Sequence, residues 1–524
     1  MTALRAAILL LAACRLGLIA AAAPAAPAAP AAPTLTHLYP AAGQQGTTVS
    51  VAASGAFGAW PPQVWVDAPG IAFKPSAKAG KFDVEIAKDA AVGPHLVRIY
   101  NAQGASAPRF FIVSDEPELL EVEPNDDFKS PQKIASLPAT ISGRLDKIGD
   151  VDSFGVTLQR GQTLVAWVEA YVLASTFDGM LRIVDTKGNE LAFNHDGRTL
   201  DPLLTWEAPS DGEFVVQLMG FAYPATADVK FTGGVGCVYR LHLSAGAPLR
   251  PALPPSDPIL GTELAAEEPT DAAEPQTVVV PCAIASRIRK PGEEDRFAFN
   301  AVTQRHYQLT VTTARPVSPL EAWLRIENKA GKTLARGESA AGSREPRLNW
   351  LAPDDGVFIA AIGDLAHHGG DDYSYRLAIR EAAPSVSGTA AAHSIAIQAG
   401  KTGEMKAVVK RENGFKAKLV LTATKLPEGV TAADVEVPEK DGEVALKLVA
   451  DPAAGAVSQP MQLVLRETES GAEHPVRYVM TTTSEENGVP QGYSDLVIDS
   501  TDQLWLTVIA EPPKPETPKT EAPK

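Results

Sequence analysis

Glu121-Val122-Glu123-Pro124-Asn125-Asp126-Asp127, followed after a short gap by Gly149-Asp150-Val151-Asp152-Ser153-Phe154, is the stretch that decides the fold. In an extended chain alternate side chains share a face, so Glu121, Glu123 and Asn125 point one way. Asp150 and Asp152 share a second face. Phe154 and Val156 continue the parity of Asp152, which therefore opens the inward row of a strand. A carboxylate there needs a partner, because burying an unpaired charge is costly. Oxygen ligands gathered without nearby His or Cys suit a hard cation such as calcium, which takes about 6–8 oxygens. The competing reading is that the aspartates accept backbone N–H bonds in a turn while the glutamates stay in water.

The framework recurs as Glu268-Pro269-Thr270-Asp271 and Gly292-Glu293-Glu294-Asp295-Arg296-Phe297. Asp152 and Asp295 lie 143 positions apart, as do Leu181-Arg182-Ile183 and Leu324-Arg325-Ile326. Trp206 with Asp211-Gly212 matches Trp350 with Asp355-Gly356, and Tyr239-Arg240-Leu241 matches Tyr375-Arg376-Leu377. Four anchors in the same order mark a tandem duplication. Between them, runs such as Leu164-Ala166-Val168 and Phe214-Val216-Leu218 alternate with period two, as half-buried strands do. In the second copy Ala266, Thr270 and Glu293 stand for Glu121, Asn125 and Asp150, so it is expected to hold a cation weakly or not at all. Trp206 and Trp350 fit either a core anchor or an exposed platform for a sugar ring or peptide. Trp167, Glu169 and Tyr171 are expected on one strand face.

Glu123-Pro124-Asn125-Asp126, Gly149 to Phe154, Gly161-Gln162, Gly188-Asn189 and Asp211-Gly212-Glu213-Phe214 together resemble the bacterial pre-peptidase C-terminal (PPC) domain. That family consists of β-sandwich modules that accompany secreted peptidases and other exported proteins. The resemblance covers about half the chain and is closer for the first copy. It implies calcium ligands at Glu121, Glu123, Asn125, Asp126, Asp150 and Asp152. Tyr39 to Val49 resembles the start of immunoglobulin-like domains of the IPT/TIG type, and Leu426-Pro427-Glu428-Gly429-Val430 is similar to a loop of exported immunoglobulin-like sandwiches. The predicted fold class is all-β, built of tandem β-sandwich domains of jelly-roll or immunoglobulin-like type. The expected order is an immunoglobulin-like domain over 34–115, one PPC-like sandwich over 116–246, a linker over 247–263, a second sandwich over 264–383, and an immunoglobulin-like domain over 384–510.

Size agrees, since 524 residues are too many for one core. The 43 Pro and 41 Gly favour short elements and many turns. A formal charge of −16 argues against nucleic acid as a partner, because phosphate binding needs clustered Lys and Arg. Residues 1–23, with Arg5 before the apolar run Ala6 to Ala13, read as a signal peptide. Leu11-Ala12-Ala13-Cys14 also resembles a lipobox, so the one membrane attachment to consider is a lipid anchor at Cys14. An Ala/Pro linker over 24–33 follows, and the Pro/Lys/Glu/Thr tail over 511–524 reads as disordered. Cys237 and Cys282 could pair as a disulfide or lie apart as buried thiols.

The nine His are scattered, with no His-Glu-x-x-His pair, no Gly-x-Ser-x-Gly elbow and no Gly-x-x-x-x-Gly-Lys phosphate loop. His367-His368 beside Asp371-Asp372, and His195-Asp196, are the polar clusters left to inspect. The expectation is an exported, non-catalytic binding or adhesion scaffold for extracellular protein or polysaccharide. Its sandwiches are expected to form a long surface, with calcium stiffening the joint before the first copy. The competing class is an accessory chain of a secreted peptidase, or the peptidase itself.

Overall fold

The computed structural model describes residues 31–195, 201–221, 231–246, 264–265, 274–313, 320–339, 345–371, 373–482 and 496–510. The signal peptide, most of the Ala/Pro linker, the linker over 247–263, the ligand counterparts Ala266 and Thr270, and the tail lie outside the described residues.

Period-two sequence becomes period-two burial. Along Lys81–Ile86 the side chains of Phe82, Val84 and Ile86 are buried and those between them exposed. The regular secondary structure of the described residues is almost entirely strand, its one helical element a 3-10 turn at Tyr171–Leu173. In the first domain a sheet ordered His37–Tyr39, Thr48–Ser54, Lys81–Ile86, Ile71–Pro75 accompanies another ordered Ala42–Gln44, Arg109–Ser114, Gly93–Asn101, Gln63–Val66. The last domain is a single eleven-stranded system. There Asn413 and Gly414 turn with positive φ of 56° and 78°, and the strand after them begins only at Leu419.

The duplication is visible strand for strand. The first sandwich has one sheet ordered Glu118–Leu120, Ala139–Arg144, Val238–Gly246, Thr163–Glu169, Leu203–Glu207. Its other sheet runs Gln132–Lys133, Val151–Leu158, Gly212–Gly220, Gly179–Val184, Glu190–Asn194. The second sandwich repeats both orders, beginning with Leu264–Ala265, Cys282–Arg287 and with Gln276–Val278, Glu294–Ala301. It departs at one seam. Glu338 and Ser339 pair with Arg347 and Pro346, which joins its two sheets into one of ten strands.

Both tryptophans are core anchors. Trp206 packs edge-on against Phe214 at 4.9 Å and Trp350 against Phe358 at 4.7 Å. Tyr171 does not share a strand face with Trp167 and Glu169. The strand stops at Glu169, and the Asp201 carboxylate accepts the N–H groups of Ala170 and Tyr171, fixing the 3-10 turn instead. Cys237 and Cys282 are free, each buried in a different sandwich core, so no disulfide joins them.

The expected long surface is not what forms. The first domain touches the first sandwich, where His37 Nε2 lies 3.1 Å from the Ala174 carbonyl oxygen and the Arg144 guanidinium sits 4.7 Å over the Tyr39 ring. It also packs on the last domain, where Leu96 and Phe110 are buried with Met480 and the rings of Trp65 and Tyr100 lie 5.7 and 4.9 Å from Trp505. The chain doubles back because these apolar faces leave water by covering each other, at roughly 25 cal/mol per Å².

Candidate metal centre

The cage forms where the segment before the first sandwich meets its first inward-facing acid. Glu121 Oε2 accepts the Arg144 N–H at 2.7 Å, and Glu123 Oε2 accepts the Asn125 N–H at 3.0 Å. The Ser153 N–H donates to the Asn125 carbonyl at 3.1 Å and ties the loop to the strand. On the turn, Gly149 has φ of 87°, and Asp150 Oδ2 accepts the N–H groups of Asp146 and Lys147 at 2.5 and 3.4 Å. Tyr239 donates its hydroxyl to Asp152 Oδ2 at 2.6 Å. Gly143 makes room for that ring, since a Cβ there would lie 2.1 Å from the phenol oxygen.

Two buried acceptors of this cluster stay unmet. Asn125 and Asp152 are at most 1 % exposed, yet Asn125 Oδ1 and Asp152 Oδ1 have no hydrogen-bond donor. Around them are two overlapping triads, Glu121, Glu123, Asp152 and Glu123, Asp126, Asp150, each with ligand oxygens within 4.8 Å of one another. The two faces read from strand parity therefore meet at Glu123. All five predicted carboxylates are brought together, with Asn125 beside them, its Nδ2 3.5 Å from Glu121 Oε1.

Electrostatics record the crowding. Burial, then the charge of Glu121, pushes the Asp152 carboxyl far above the usual carboxylate range, and burial raises Glu121 as well. Two neighbouring buried carboxylates repel each other unless a cation lies between them. With one, the repulsion and both orphaned oxygens are satisfied together. Carboxylate and amide oxygens alone form a donor set of the kind calcium takes, with no nitrogen or sulfur ligand.

The second sandwich resolves the same inward acid differently. Asp295 Oδ2 accepts both the Tyr375 hydroxyl at 2.5 Å and the Ser286 hydroxyl at 2.8 Å. Ser286 stands opposite Tyr375 where Gly143 stands opposite Tyr239. Glu293 Oε2 keeps the turn role of Asp150, accepting from the N–H groups of Arg289 and Lys290. Among the described residues no acidic triad forms there.

Among the described residues the other clusters form no group of metal-ligating side chains. His367 has a positive φ of 58°, and His368 is exposed, its Nδ1 3.9 Å from Asp364 Oδ2. Asp371 is 96 % exposed beside Arg287, while Asp372 and Asp196 lie outside the described residues. Sequence reading missed two features. Lys147 reaches Asp150 and Asp126, a contact signalled only by a Lys three positions before Asp150. On the outer sheet face, Trp167 stacks on His242 at 3.7 Å, and His242 lies between Thr140 and Glu169 at 3.0 and 3.1 Å.

No known family and no curated protein matches the chain. Similar solved structures include the pre-peptidase C-terminal domain of collagenase from Bacillus anthracis, at 13% identity over 20% of this chain and 95% of that one, TM-score 0.18. PliG, a periplasmic inhibitor of g-type lysozyme from Aeromonas hydrophila, matches at 11% identity over 25% and 99% of the two chains, TM-score 0.16. The N-terminal eight immunoglobulin domains of Down syndrome cell adhesion molecule match at 11% identity over 85% and 56%, TM-score 0.19. At these levels the likenesses add nothing to the β-sandwich architecture seen directly. Among the described residues no helix is long and apolar enough to cross a membrane.

Proposed function

We propose that the chain is an exported, non-catalytic binding scaffold whose first sandwich takes calcium at Glu121, Glu123, Asn125, Asp126, Asp150 and Asp152. The observation that carries the metal is the pair of buried, donor-less oxygens, Asn125 Oδ1 and Asp152 Oδ1, on residues of the cluster that gathers five carboxylates. The cage lies beside the seam with the first domain, because Arg144, whose N–H is held by Glu121, also covers Tyr39. Calcium there ties the segment Glu121 to Asp126 to the turn at Asp150 and stiffens that seam.

The non-catalytic reading rests on how the polar side chains are used. His242 between Thr140 and Glu169 has the outline of a nucleophile, base and acid. Yet Thr140 lies on a strand paired on both sides, with Glu118 and His242 as its partners, so the nearby backbone N–H groups serve the ladder rather than an oxyanion. The partners this reading implies are extracellular protein or polysaccharide, met on the outer sheet faces.

Calorimetric titration of the purified chain with calcium, beside thermal unfolding in calcium and in EDTA, tests the metal. Binding is expected, with saturation at a hundred times Kd adding about 2.7 kcal/mol of stability, and Asp152→Asn is expected to remove both. Absence of heat and of any thermal shift overturns the metal. Hydrolysis of casein or collagen by the chain, abolished by a single substitution, overturns the scaffold.

A further inference from the structure

The five carboxylates are not neutralised evenly. The Lys147 ammonium lies 3.0 Å from Asp150 Oδ1 and 3.3 and 3.1 Å from the two oxygens of Asp126. These are two of the three acids of the outer triad. Arg144 makes no such contact with the inner triad: Glu121 holds its backbone N–H, while its Nε points at Asp146 and its guanidinium spreads over Tyr39. Resting on the calcium reading above, we propose that Lys147 is a tethered cation that fills the outer triad and must swing out before a divalent ion can take Glu123, Asp126 and Asp150.

The two halves of the contact differ in freedom. The Asp150 side chain has no exposure and its other oxygen is committed to the turn, so it needs a positive partner on Oδ1 at all times. The Lys147 side chain is 60 % exposed on a flexible stem, and its ammonium is strongly hydrated, so it leaves for water easily. A divalent ion brings twice the charge to about 2.3–2.6 Å from each oxygen. Lys147 thus keeps the ion-free cage folded while competing with the ion for the same oxygens.

The test is calcium titration of the full chain carrying Lys147→Met, which keeps the stem and removes the charge, and Lys147→Arg, which keeps the charge. The calcium needed for half-saturation should fall at least tenfold in Lys147→Met and stay near the wild-type value in Lys147→Arg. In EDTA the Met variant should melt below wild type, and in saturating calcium the two should coincide. If Lys147→Met fails to fold without calcium, the same titration is run on Lys147→Gln. Wild-type binding that Lys147→Met leaves unchanged or weakens overturns the competing role and spares the cage. Absence of calcium binding in every protein overturns the cage itself.

Discussion

Arg98 Nη1 lies 2.9 Å from Nδ1 of His393, joining the first domain to the last. Arg98 is fully buried and also donates to the carbonyl oxygens of Ser106 at 3.0 Å and Gln503 at 3.2 Å. The Trp505 ring is 5.9 Å away. These partners are all neutral, so the guanidinium holds the seam by hydrogen bonds rather than by an ion pair.

Arg98→Met should undock the two domains. It strands carbonyl and imidazole acceptors inside the seam, a loss of roughly 2–4 kcal/mol. Small-angle scattering should show a larger radius of gyration than wild type. Scattering identical to wild type would contradict the doubled-back arrangement.

Acid should loosen the same seam. Burial, then the charges of Arg98 and Arg109, pushes His393 down to about 4, and the Tyr478 ring is its neighbour at 5.5 Å. Undocked, an imidazole titrates near about 6.5. The docked state holds neutral His393, so its stability is full above about 6.5 and falls as pH drops toward 4. Scattering at pH 7.5 and 4.5 should differ for wild type, and His393→Gln should shrink that difference. A difference equally large in His393→Gln would assign the opening to other groups.

Removing one hydroxyl from each sandwich should give unequal results. Tyr239→Phe leaves Asp152 without its one donor, whereas Tyr375→Phe leaves Asp295 still served by Ser286. In EDTA the first change should cost roughly 1–3 kcal/mol and the second clearly less. Calcium should narrow the gap. Equal losses in EDTA would mean that Ser286 does not substitute for the missing partner.

Gly143→Ala probes the same pair sterically. Its new methyl would meet the Tyr239 phenol at 2.1 Å and push the hydroxyl away from Asp152. Denaturant unfolding should show a loss of about 1–3 kcal/mol, and wild-type stability would show that the ring moves freely.

Much of this was legible in the sequence because the signals are local or repeated. Period-two alternation marks the strands, the anchors from Asp152 to Tyr239 mark the duplication, and the parity of Asp152 with Phe154 places a carboxylate inside. What escaped depends on distant partners. Tyr171 leaves its strand because Asp201, thirty positions on, captures its N–H. Ser286 takes up Asp295 only because their strands face each other. The docking of Arg98 on His393 has no local pattern, since each side looks like an ordinary half-buried sheet face. The buried thiols show the same limit, as neither cysteine's neighbours reveal which core it enters.

Because the opening and closing domains clasp, traction applied between Leu35 and Ile509 runs first through their shared seam. The two middle sandwiches come under load only once that clasp parts. Their hydrogen-bonded ladders are thereby spared small tugs.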